Sequence, residues 1–472
     1  MKKQLLFAIC AFFLCTNVFA QAKLHILRDF MGGSIFGISS NGKYATGGIE
    51  ETVGFRYDIK NETWIAFAHE NTPSGAGTGY GVSNNGLVIG IGSDSTFRPV
   101  LQSGFIWTDD SAYTFLGVRP GANPAPVVGS LAYGVTADAK YIVGSTPVLL
   151  SELSHGNPAV YNIACVWNNN PGKLTIDPLA ENNPYGMGSR AESISDNGKV
   201  IAGHISTNTA EEIAIWINRK SPIMLGFDDL KDVRGYGMNV SPNARFVTGY
   251  YETGVSFLWD AFHQDTILRI DSPATAYMAN GVSSGGTIVG FQCGFQAPEI
   301  PINNPYDRVG MIKLPGQAPQ ELEVFLEAKG IYASDESVRL TTPIRISNDG
   351  RIIGGFGWDD VNNAIVPFIV DLGEALDKGD LTPFDPPMDT TISNENIHTQ
   401  MEKISIYPNP AQEVLNISGD YNQVRIFDLR GREVFYSATP CKTISLNQFK
   451  RGMYFVKFNG NTGSQTSKLI IQ

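Results

Sequence analysis

The stretch SISDNGKVIAG, from Ser193 to Gly203, decides how most of this chain folds. An apolar residue and a serine precede the turn pair Asn-Gly, and mostly apolar residues follow it up to a closing glycine. Asn-Gly readily adopts the positive φ angles of a tight hairpin turn, and β-branched residues suit a pleated, buried surface. The stretch therefore predicts a β-hairpin with two short, buried arms.

Seven copies of this pattern occur between Gly37 and Gly354. Their apolar anchors, each directly before a Ser or Thr, are Ile38, Val82, Val135, Ile194, Val240, Val282 and Ile346. The shortest spacing is 42 residues, from Val240 to Val282, and the longest is 64 residues, from Val282 to Ile346. Repeats of this length indicate a propeller, a solenoid or another array.

Two positions in the hairpins carry further expectations. In the third and fifth copies Ala139 and Ala244 replace the turn glycine, so we expect a different turn geometry there. The glycine that closes each copy predicts a bulge or a close approach of two backbones. These closing residues are Gly47, Gly90, Gly144, Gly203, Gly249, Gly290 and Gly354.

A second apolar element, usually aromatic, follows each hairpin, and a further apolar stretch often comes after it. The elements contain Phe55, Trp107, Trp167, Trp216, Trp259, Met311 and Phe368. With both hairpin arms this makes about four strands per repeat, and radially arranged four-stranded sheets form a β-propeller. The sequence thus predicts an all-β fold with a seven-bladed β-propeller whose recurring Trp residues lie in the blade cores. An open β-solenoid is the alternative, although its coils are generally shorter.

The array resembles the HAF-type extracellular repeats, in which a glycine-containing hairpin motif precedes an apolar element ending in Trp. The resemblance covers Phe30 to Leu372. The sixth copy departs most, with Lys313 where Trp usually stands. The resemblance implies an extracellular propeller-like domain and assigns no chemistry.

The N-terminus has the composition of a cleavable signal peptide. Lys2 and Lys3 precede an apolar core from Leu5 to Leu14, and Val18-Phe19-Ala20 offers small residues for cleavage. The apolar core is too short to span a bilayer, and no later stretch is long and apolar enough. We therefore expect residues 1–20 to be removed, and a mature chain that begins at Gln21 without a transmembrane segment.

The C-terminus changes character after Leu372. Residues 373–402 are rich in Pro, Asp, Thr and Asn and predict an exposed linker. Residues 403–472 show short alternating strands separated by turn residues, which predicts a small Ig-like β-sandwich.

This last segment resembles the type A C-terminal sorting domain that Bacteroidota attach to cargo of the type IX secretion system. The motifs ISIYPNPAQEVLNIS, RGMYFVKF and KLIIQ carry the resemblance. It implies delivery through the periplasm to the cell surface or medium, with the translocon and its sorting machinery as partners. It also implies a cut in the linker and attachment to surface lipopolysaccharide or release. The matching sorting-signal residues are Tyr407, Pro408, Asn409, Pro410, Gly431, Gly452, Tyr454 and Lys468.

Composition excludes some classes of partner. The net charge of −11 disfavours nucleic acid, because a phosphate binder needs a basic stripe. Three cysteines, Cys165, Cys293 and Cys441, lie beyond the signal peptide. They fit small buried hydrophobic residues, although an exported protein could pair two of them.

Motifs for catalysis are absent from the sequence. Adjacent acidic pairs fit solvated loops, and the histidines lack metal-ligand spacing. We therefore predict no catalytic residue, no metal ligand and no cofactor, and whether the protein is an enzyme stays open. Five aromatic residues are predicted to be exposed and able to stack on a sugar or peptide: Trp64, Tyr80, Tyr133, Tyr251 and Trp358.

The sequence favours a secreted or surface-attached module that binds an extracellular glycan or protein. Three long inserts would present loops at one propeller face: Gly117–Gly129, Thr146–Asn162 and Phe291–Arg308. A secreted hydrolase of polysaccharide or peptide is one alternative. A structural surface component without a discrete ligand is the other.

Overall fold

A computed structural model describes most of the chain beyond the predicted signal peptide, which lies outside the described residues. The described residues are 22–49, 53–67, 77–94, 101–109, 113–118, 129–150, 159–170, 173–179, 188–207, 211–230, 233–263, 267–270, 276–296, 300–301, 304–383, 385–386, 405–419, 421–428, 433–437, 439–460 and 463–472. The chain divides into two compact units, Met1–Met388 and Asp389–Gln472.

The first unit contains seven four-stranded antiparallel sheets, which we number as blades 1 to 7 in chain order. The first strands of neighbouring blades contact each other in a closed series around a central channel. From the channel outwards, the strands of blade 1 are Ser34–Ile38, Tyr44–Ile49, Val53–Asp58 and Thr63–Phe67. Those of blade 2 are Thr78–Val82, Val88–Asp94, Leu101–Trp107 and Thr114–Phe115. Those of blade 3 are Leu131–Val135, Tyr141–Leu150, Ala159–Asn170 and Lys173–Pro178. The predicted seven-bladed β-propeller is confirmed.

Blades 4 to 6 repeat the arrangement with additions in blade 6. The strands of blade 4 are Ser189–Ile194, Val200–Ser206, Glu211–Ile217 and Ile223–Leu225. Those of blade 5 are Gly235–Val240, Phe246–Tyr251, Ser256–Asp260 and Ile267–Ile270. Those of blade 6 are Ala276–Val282, Ile288–Cys293, Val309–Lys313 and Gln320–Glu321. The short strands Phe295–Gln296 and Ile300–Pro301 pair within blade 6. The helices described are one α-helix, Leu322–Glu327, and the 3-10 turns Arg28–Phe30, Asp228–Leu230, Pro305–Asp307 and Ala333–Glu336. None of these helices is long and apolar enough to cross a membrane.

Blade 7 combines both ends of the propeller chain. Its inner strands are Val338–Ile346, Ile352–Asp359 and Ala364–Asp371, and its outermost strand is Lys23–Ile26 from the N-terminus. Lys23 pairs with Asp371 and Ile26 with Phe368 in antiparallel register. This pairing closes the ring of blades. The sequence did not predict it, because a four-residue strand outside the repeat has no pattern of its own.

Aromatic and apolar side chains fill the blades as predicted. Trp167, Trp216 and Trp259 are fully buried, and Trp107 is nearly so. Lys313, which replaces Trp in blade 6, is also buried, and burial lowers the pKa of its ammonium group. The three cysteines are free thiols, with Cys165 and Cys293 buried and Cys441 half-buried.

Each first strand has a bulge or register shift close before its repeat anchor, and the closing glycine lies against it. A Cβ at Gly203 would lie 1.9 Å from the carbonyl oxygen of Arg190 on the first strand. Gly47, Gly90 and Gly144 are as close to their first strands. The predicted close approach is therefore confirmed. In blade 7 the equivalent close contact, to the carbonyl of Thr342, belongs to Gly355 rather than Gly354.

The serine of the repeat holds the hairpin turn together. Ser195 Oγ donates to Asn197 Oδ1 at 2.8 Å and accepts from the Val200 N–H at 3.0 Å. The Ser or Thr of six copies makes this pair of contacts, and all are buried: Ser39, Ser83, Thr136, Ser195, Ser241 and Ser347. One side chain thus pairs polar groups of the turn and fixes the residue at which the second strand begins.

The expected change of turn geometry at the two alanine copies is wrong. Ala139 has φ 62° and Ala244 has φ 70°, close to the 72° of Gly198 in a glycine-containing copy. Both alanines therefore occupy the left-handed region that a Cβ disfavours. The buried serine or threonine network around each turn holds the backbone in this conformation.

Part of the segment predicted as an exposed linker packs against the propeller. Asp377 N donates to the carbonyl of Asp349 in blade 7, and its carboxylate accepts from Gly285 N and Thr287 Oγ1 in blade 6. Further along, Asp385 lies 2.7 Å from Lys199 of blade 4. We call residues 373–383 and 385–386 the strap, since they lie at the turn end of blades 4, 6 and 7.

The second unit contains two antiparallel sheets around one core. The three-stranded sheet comprises Ser405–Tyr407, Val414–Ser418 and Thr443–Ser445, and the four-stranded sheet has the order Glu433–Ser437, Gln423–Asp428, Gly452–Gly460 and Gly463–Ile471. Leu415, Ile426, Val456 and Leu469 are among its fully buried residues. This arrangement confirms the small β-sandwich.

Candidate functional site: the propeller channel

Hydrogen bonds between neighbouring blades form a closed belt at the turn end of the channel. The belt residues follow the repeat serine or threonine in each copy: Ser40, Asn84, Ala137, Asp196, Pro242, Ser284 and Asn348. For example, Asn348 N donates to the carbonyl of Ser40, and Asp196 N donates to that of Pro242. Every neighbouring pair of blades is joined in this way. The belt narrows the channel at this end.

Asp196 extends the belt across the channel. Its carboxylate accepts a 2.5 Å hydrogen bond from Ser40 Oγ, which belongs to blade 1, whereas Asp196 belongs to blade 4. Burial raises the pKa of Asp196 to about 6, although bonds from Ser40 and Ala137 oppose the shift. The turn end of the channel is thus closed by an acid that titrates near neutral pH.

The channel wall above the belt carries aromatic rings on adjacent blades. Phe36, Tyr80 and Tyr133 occupy the bulges of the first strands in blades 1 to 3. The ring centroids of Phe36 and Tyr80 lie 5.2 Å apart, and those of Tyr80 and Tyr133 lie 5.6 Å apart. The guanidinium of Arg190 continues this aromatic arc at 5.0 Å from the Tyr133 ring. All three rings are half-buried, so they retain surface for a partner.

A network of charged groups continues from blade 4 to blade 5. Glu192 occupies the blade 4 bulge, accepts hydrogen bonds from Arg190, and lies 3.3 Å from His204 Nδ1. Burial by itself would raise the pKa of Glu192, but His204 and Arg190 more than offset it and lower the pKa to about 2. His204 Nε2 in turn lies 3.9 Å from Glu211, which pairs with Arg234 at 3.3 Å. The Glu192 carboxylate is therefore ionised and already neutralised by its neighbours.

The wall and the belt enclose a chamber of about 90 Å³ in the channel. Its polar lining includes Tyr80, Tyr133, Glu192, Asp196, Asn239 and Arg345. This volume is about three times the share of one water molecule in the liquid. The chamber can hold a carboxylate-sized group but not a whole sugar ring.

Arg345 is the cation of the chamber. Its hydrogen bonds go from Nη1 to the carbonyl oxygens of Asn280 and Ile344, at 3.4 Å and 3.2 Å. Burial lowers the pKa of Arg345 to about 10, and the charge of Glu192 only partly opposes that shift. In the described part of the chain, no carboxylate lies within 4.0 Å of this guanidinium. Arg345 is thus a half-buried cation whose Nε and Nη2 donors have no acceptor among the described residues.

The five aromatic residues predicted from the sequence lie in different places. Tyr80 and Tyr133 lie together on the channel wall. Trp64 is 45% exposed on the outermost strand of blade 1, where its Nε1 donates to Asp29. Trp358 is half-buried in blade 7 and lies 5.4 Å from the ring of Tyr306. Tyr251 is only 2% exposed in the core of blade 5, so its expected exposure is wrong, because its ring packs against Phe257.

The sequence missed Phe36, Glu192 and Arg345, although a signal for the first two was present. Each wall residue stands two positions before its repeat anchor, as Tyr80 does before Val82 and Glu192 before Ile194. In the repeat this column ranges from apolar to charged residues. Arg345 directly precedes its anchor, where six copies have Gly, Ser or Asn.

The predicted long inserts are partly strand. Thr146–Leu150 and Ala159–Asn162 extend the second and third strands of blade 3, with Leu150 paired to Ala159. Residues 151–158 and 119–128 lie outside the described residues. The connections between second and third strands leave the sheets at the end where first strands begin, which is opposite the belt. Side chains there are more exposed, as Arg190 at 35% and Arg234 at 48% show.

A larger cavity of about 740 Å³ lies at the turn end, between blades 5 and 6 and the strap. Three of its charged side chains are already held by partners within the fold. Arg245 and His263 both contact Asp260, and Asp377 is held by Gly285 and Thr287. We therefore treat the channel chamber as the candidate site.

The sorting-signal residues of the second unit lie near its chain ends. Asn409 donates from Nδ2 to the carbonyl of Lys468 and accepts from the Ile470 N–H, so it ties the first turn to the last strand. Tyr407 and Lys468 are exposed, whereas Tyr454 is buried and its hydroxyl donates to the carbonyl of Lys450. Gly431 lies outside the described residues.

Residues 405–472 match the family described as the secretion system C-terminal sorting domain. The chain is also 32% identical to β-agarase D of Zobellia galactanivorans over 71 residues, which are 15% of each protein. The chain thus spans about a sixth of that relative's length. The sorting domain implies export to the cell surface or the medium and contact with the type IX secretion machinery.

Solved structures similar to the chain include propeller proteins. PorZ, a surface component of the type IX secretion system of Porphyromonas gingivalis, is 10% identical, with a TM-score of 0.30, over 93% of this chain and 81% of that one. The propeller domain of the Trilobed protease from Pyrococcus furiosus is 12% identical, with a TM-score of 0.38, over 60% and 82%. A putative TolB from Agrobacterium tumefaciens is 11% identical, with a TM-score of 0.34, over 72% and 90%. The strand pairing itself defines the seven blades.

Proposed function

We propose that the propeller is an exported binding module that holds an extracellular glycan at the strand-start end of its channel. The aromatic arc of Phe36, Tyr80 and Tyr133 carries this proposal. Three half-buried rings on adjacent blades lie beside charged side chains in a concave channel. Apolar ring faces with a few convergent polar groups are typical of ligand sites in general.

The sequence also left an extracellular protein open as the ligand, and the chamber favours a glycan. A protein partner would need a broad surface, on the order of 800 Å² per partner, rather than a narrow channel. The signal peptide, the HAF-type likeness and attachment to lipopolysaccharide stay predictions from the sequence. They concern delivery of the module and do not bear on the ligand.

A binding screen with the purified full chain tests the proposal. Glycans, mucin and extracellular proteins would be presented in the same assay, and saturable binding to a glycan is expected. The double substitution Tyr80→Ala with Tyr133→Ala should weaken that binding about tenfold or more, since each ring contact is worth roughly 1 kcal/mol. Trp64→Ala is the matched control, because Trp64 is exposed but lies outside the channel.

Two results would contradict the proposal. Binding that survives the double substitution would place the site elsewhere on the molecule. The absence of saturable binding to any glycan or protein, together with high copy number on intact cells, would favour the structural surface component instead.

A hydrolase is a second candidate because two carboxylates with opposite pKa shifts line one chamber. The pKa of Glu192 is lowered to about 2 and that of Asp196 is raised to about 6. Acid–base pairs of glycosidases show such a separation. However, a chamber of about 90 Å³ cannot admit a glycosidic bond with a sugar on each side. Product formation in the same wells, lost in Asp196→Asn, would support the hydrolase.

A further inference from the structure

Arg345 is a half-buried cation that has no ion-pair partner among the described residues. Arg345 is enclosed by the channel wall, and its hydrogen bonds go to two carbonyl oxygens at 3.2 Å and 3.4 Å. A desolvated charge without a partner costs stability, so folds rarely retain one for packing alone. By contrast, Arg190 in the same channel contacts Glu192 directly.

Neither acid on the chamber wall forms an ion pair with Arg345. Glu192 accepts from Arg190 and lies beside His204. Asp196 is engaged by Ser40 and Ala137 in the belt. Both acids are thus committed to other partners, and the free Nε and Nη2 donors of Arg345 form the fork geometry that a carboxylate accepts.

The size and position of the chamber define what could bind. Its volume of about 90 Å³ suits a carboxylate with its attached carbon. Tyr80 and Tyr133 line the same chamber and present ring surface on which the rest of a sugar could stack. A ligand would need an acidic group next to a ring that is too large to enter.

We propose that the chamber receives the carboxylate of a uronic-acid residue in an acidic glycan, with Arg345 as its cationic partner. The sugar ring of that residue stacks on the aromatic arc, and its carboxylate points toward the belt. This inference rests on the proposed function and names the class of glycan. No covalent step is involved.

Oligogalacturonide and its methyl ester are suitable probes, since they differ only at the carboxyl groups, where the ester lacks the negative charge and carries a methyl group. The full chain should bind the acid at least tenfold more tightly than the ester in calorimetric titration. Equal affinity for the two would overturn the inference while leaving glycan binding intact. Binding to neutral glycans alone would also overturn the inference and leave glycan binding intact. Binding to no glycan would contradict the proposed function as well.

Substitution of Arg345 separates a ligand-binding role from a structural one. Arg345→Met should abolish the preference for the acid while leaving the melting temperature equal or higher, because it removes a half-buried charge that has no ion-pair partner among the described residues. Arg351→Met is the matched control. Arg351 pairs with Asp371 at 3.3 Å near the turn end of the same blade and does not line the chamber.

Two outcomes for Arg345→Met would overturn the inference. A folded variant that keeps the preference for the acid would show that another group recognises the carboxylate. A melting temperature lowered by several degrees, more than in Arg351→Met, would show that the guanidinium stabilises the channel itself.

Discussion

The two ends of the propeller channel differ in how strictly they follow the repeat. At the turn end, a buried Ser or Thr in every copy and a closed belt of hydrogen bonds join all neighbouring blades. Above it, the bulge position carries Phe36, Tyr80, Tyr133 and Glu192 in successive blades. Positions kept constant in the repeat thus build the scaffold. Positions that vary at a fixed place in the scaffold create the chemistry.

The largest expected effect comes from breaking the scaffold at a closing glycine. Gly203→Ala would place a Cβ 1.9 Å from the carbonyl oxygen of Arg190, so two strands must separate. We expect a loss of about 3 kcal/mol or more in the free energy of unfolding, measured by denaturant titration. Gly226→Ala is the control, since a Cβ there meets nothing within 4 Å. Equal stability of the two variants would contradict the role assigned to the close approach.

Removing a repeat serine should have the next largest effect. Ser241→Ala deletes the acceptor of the Phe246 N–H and the donor to Asn243, in a turn where Ser241 and Asn243 are buried and Phe246 is half-buried. Unsatisfied buried groups predict a loss of about 2 kcal/mol in unfolding free energy. Ser221→Ala, at an exposed site, should change it little. If Ser241→Ala and Ser221→Ala have the same unfolding free energy, Ser241 does not stabilise the turn.

Asp196 lies where the belt meets the chamber, and its ionisation should make the stability of the fold depend on pH. The pKa of Asp196 is raised to about 6 in the folded protein, so its protonated form favours folding. Its contribution is complete below about pH 4 and is lost as the pH rises through about 6. Asp196→Asn should therefore gain stability over the wild type across this window, by about 3 kcal/mol at neutral pH.

Thermal melts of the wild type and Asp196→Asn at a series of pH values measure this difference. The gap should grow from about pH 4 to about pH 6 and then stay constant. The groups closest to the titrating carboxyl are Ser40, Ala137 and Asp138. A gap that does not change with pH would mean that Asp196 is ionised throughout.

The smallest expected effect concerns the two alanine turns. Ala139→Gly relieves a left-handed alanine and should stabilise the fold by about 1 kcal/mol or less, because glycine also loses more chain entropy on folding. Ala137→Gly, two residues earlier, relieves no left-handed backbone and should lower the unfolding free energy by about 0.5 kcal/mol. Chemical denaturation of both variants shows whether each substitution raises or lowers the unfolding free energy. A destabilising Ala139→Gly would show that the turn is unstrained.

The sequence predicted the blades well because the repeat encodes them locally. Anchor, turn residue and closing glycine all lie within a single hairpin, so each copy can be read independently of its neighbours. The strand Lys23–Ile26 could not be found in this way, since its partner lies about 340 residues away and it follows no repeat. The sequence also did not predict that part of the strap packs against the propeller, because a Pro- and Asp-rich composition does not reveal that the Asp377 carboxylate accepts a hydrogen bond from Gly285 N.

The candidate site could be predicted only in part. Tyr80 and Tyr133 were singled out as aromatic residues, and their meeting on one wall depends on the ring of blades. Arg345 and Glu192 are charged residues inside strands, which the sequence alone places on a surface as readily as in a channel. Their significance comes from which partners they have and lack, and this is decided by neighbouring blades.

The closure of blade 7 has a mechanical consequence. Because Lys23 pairs with Asp371, the chain enters and leaves this pair of strands at the same end. Tension between the N-terminus and the strap would load the hydrogen bonds one after another, as in opening a zipper, rather than all together in shear. We expect forced extension from these two points to open blade 7 first and at low force, which single-molecule pulling would show as an early, small step. An initial rupture in any other blade would contradict it.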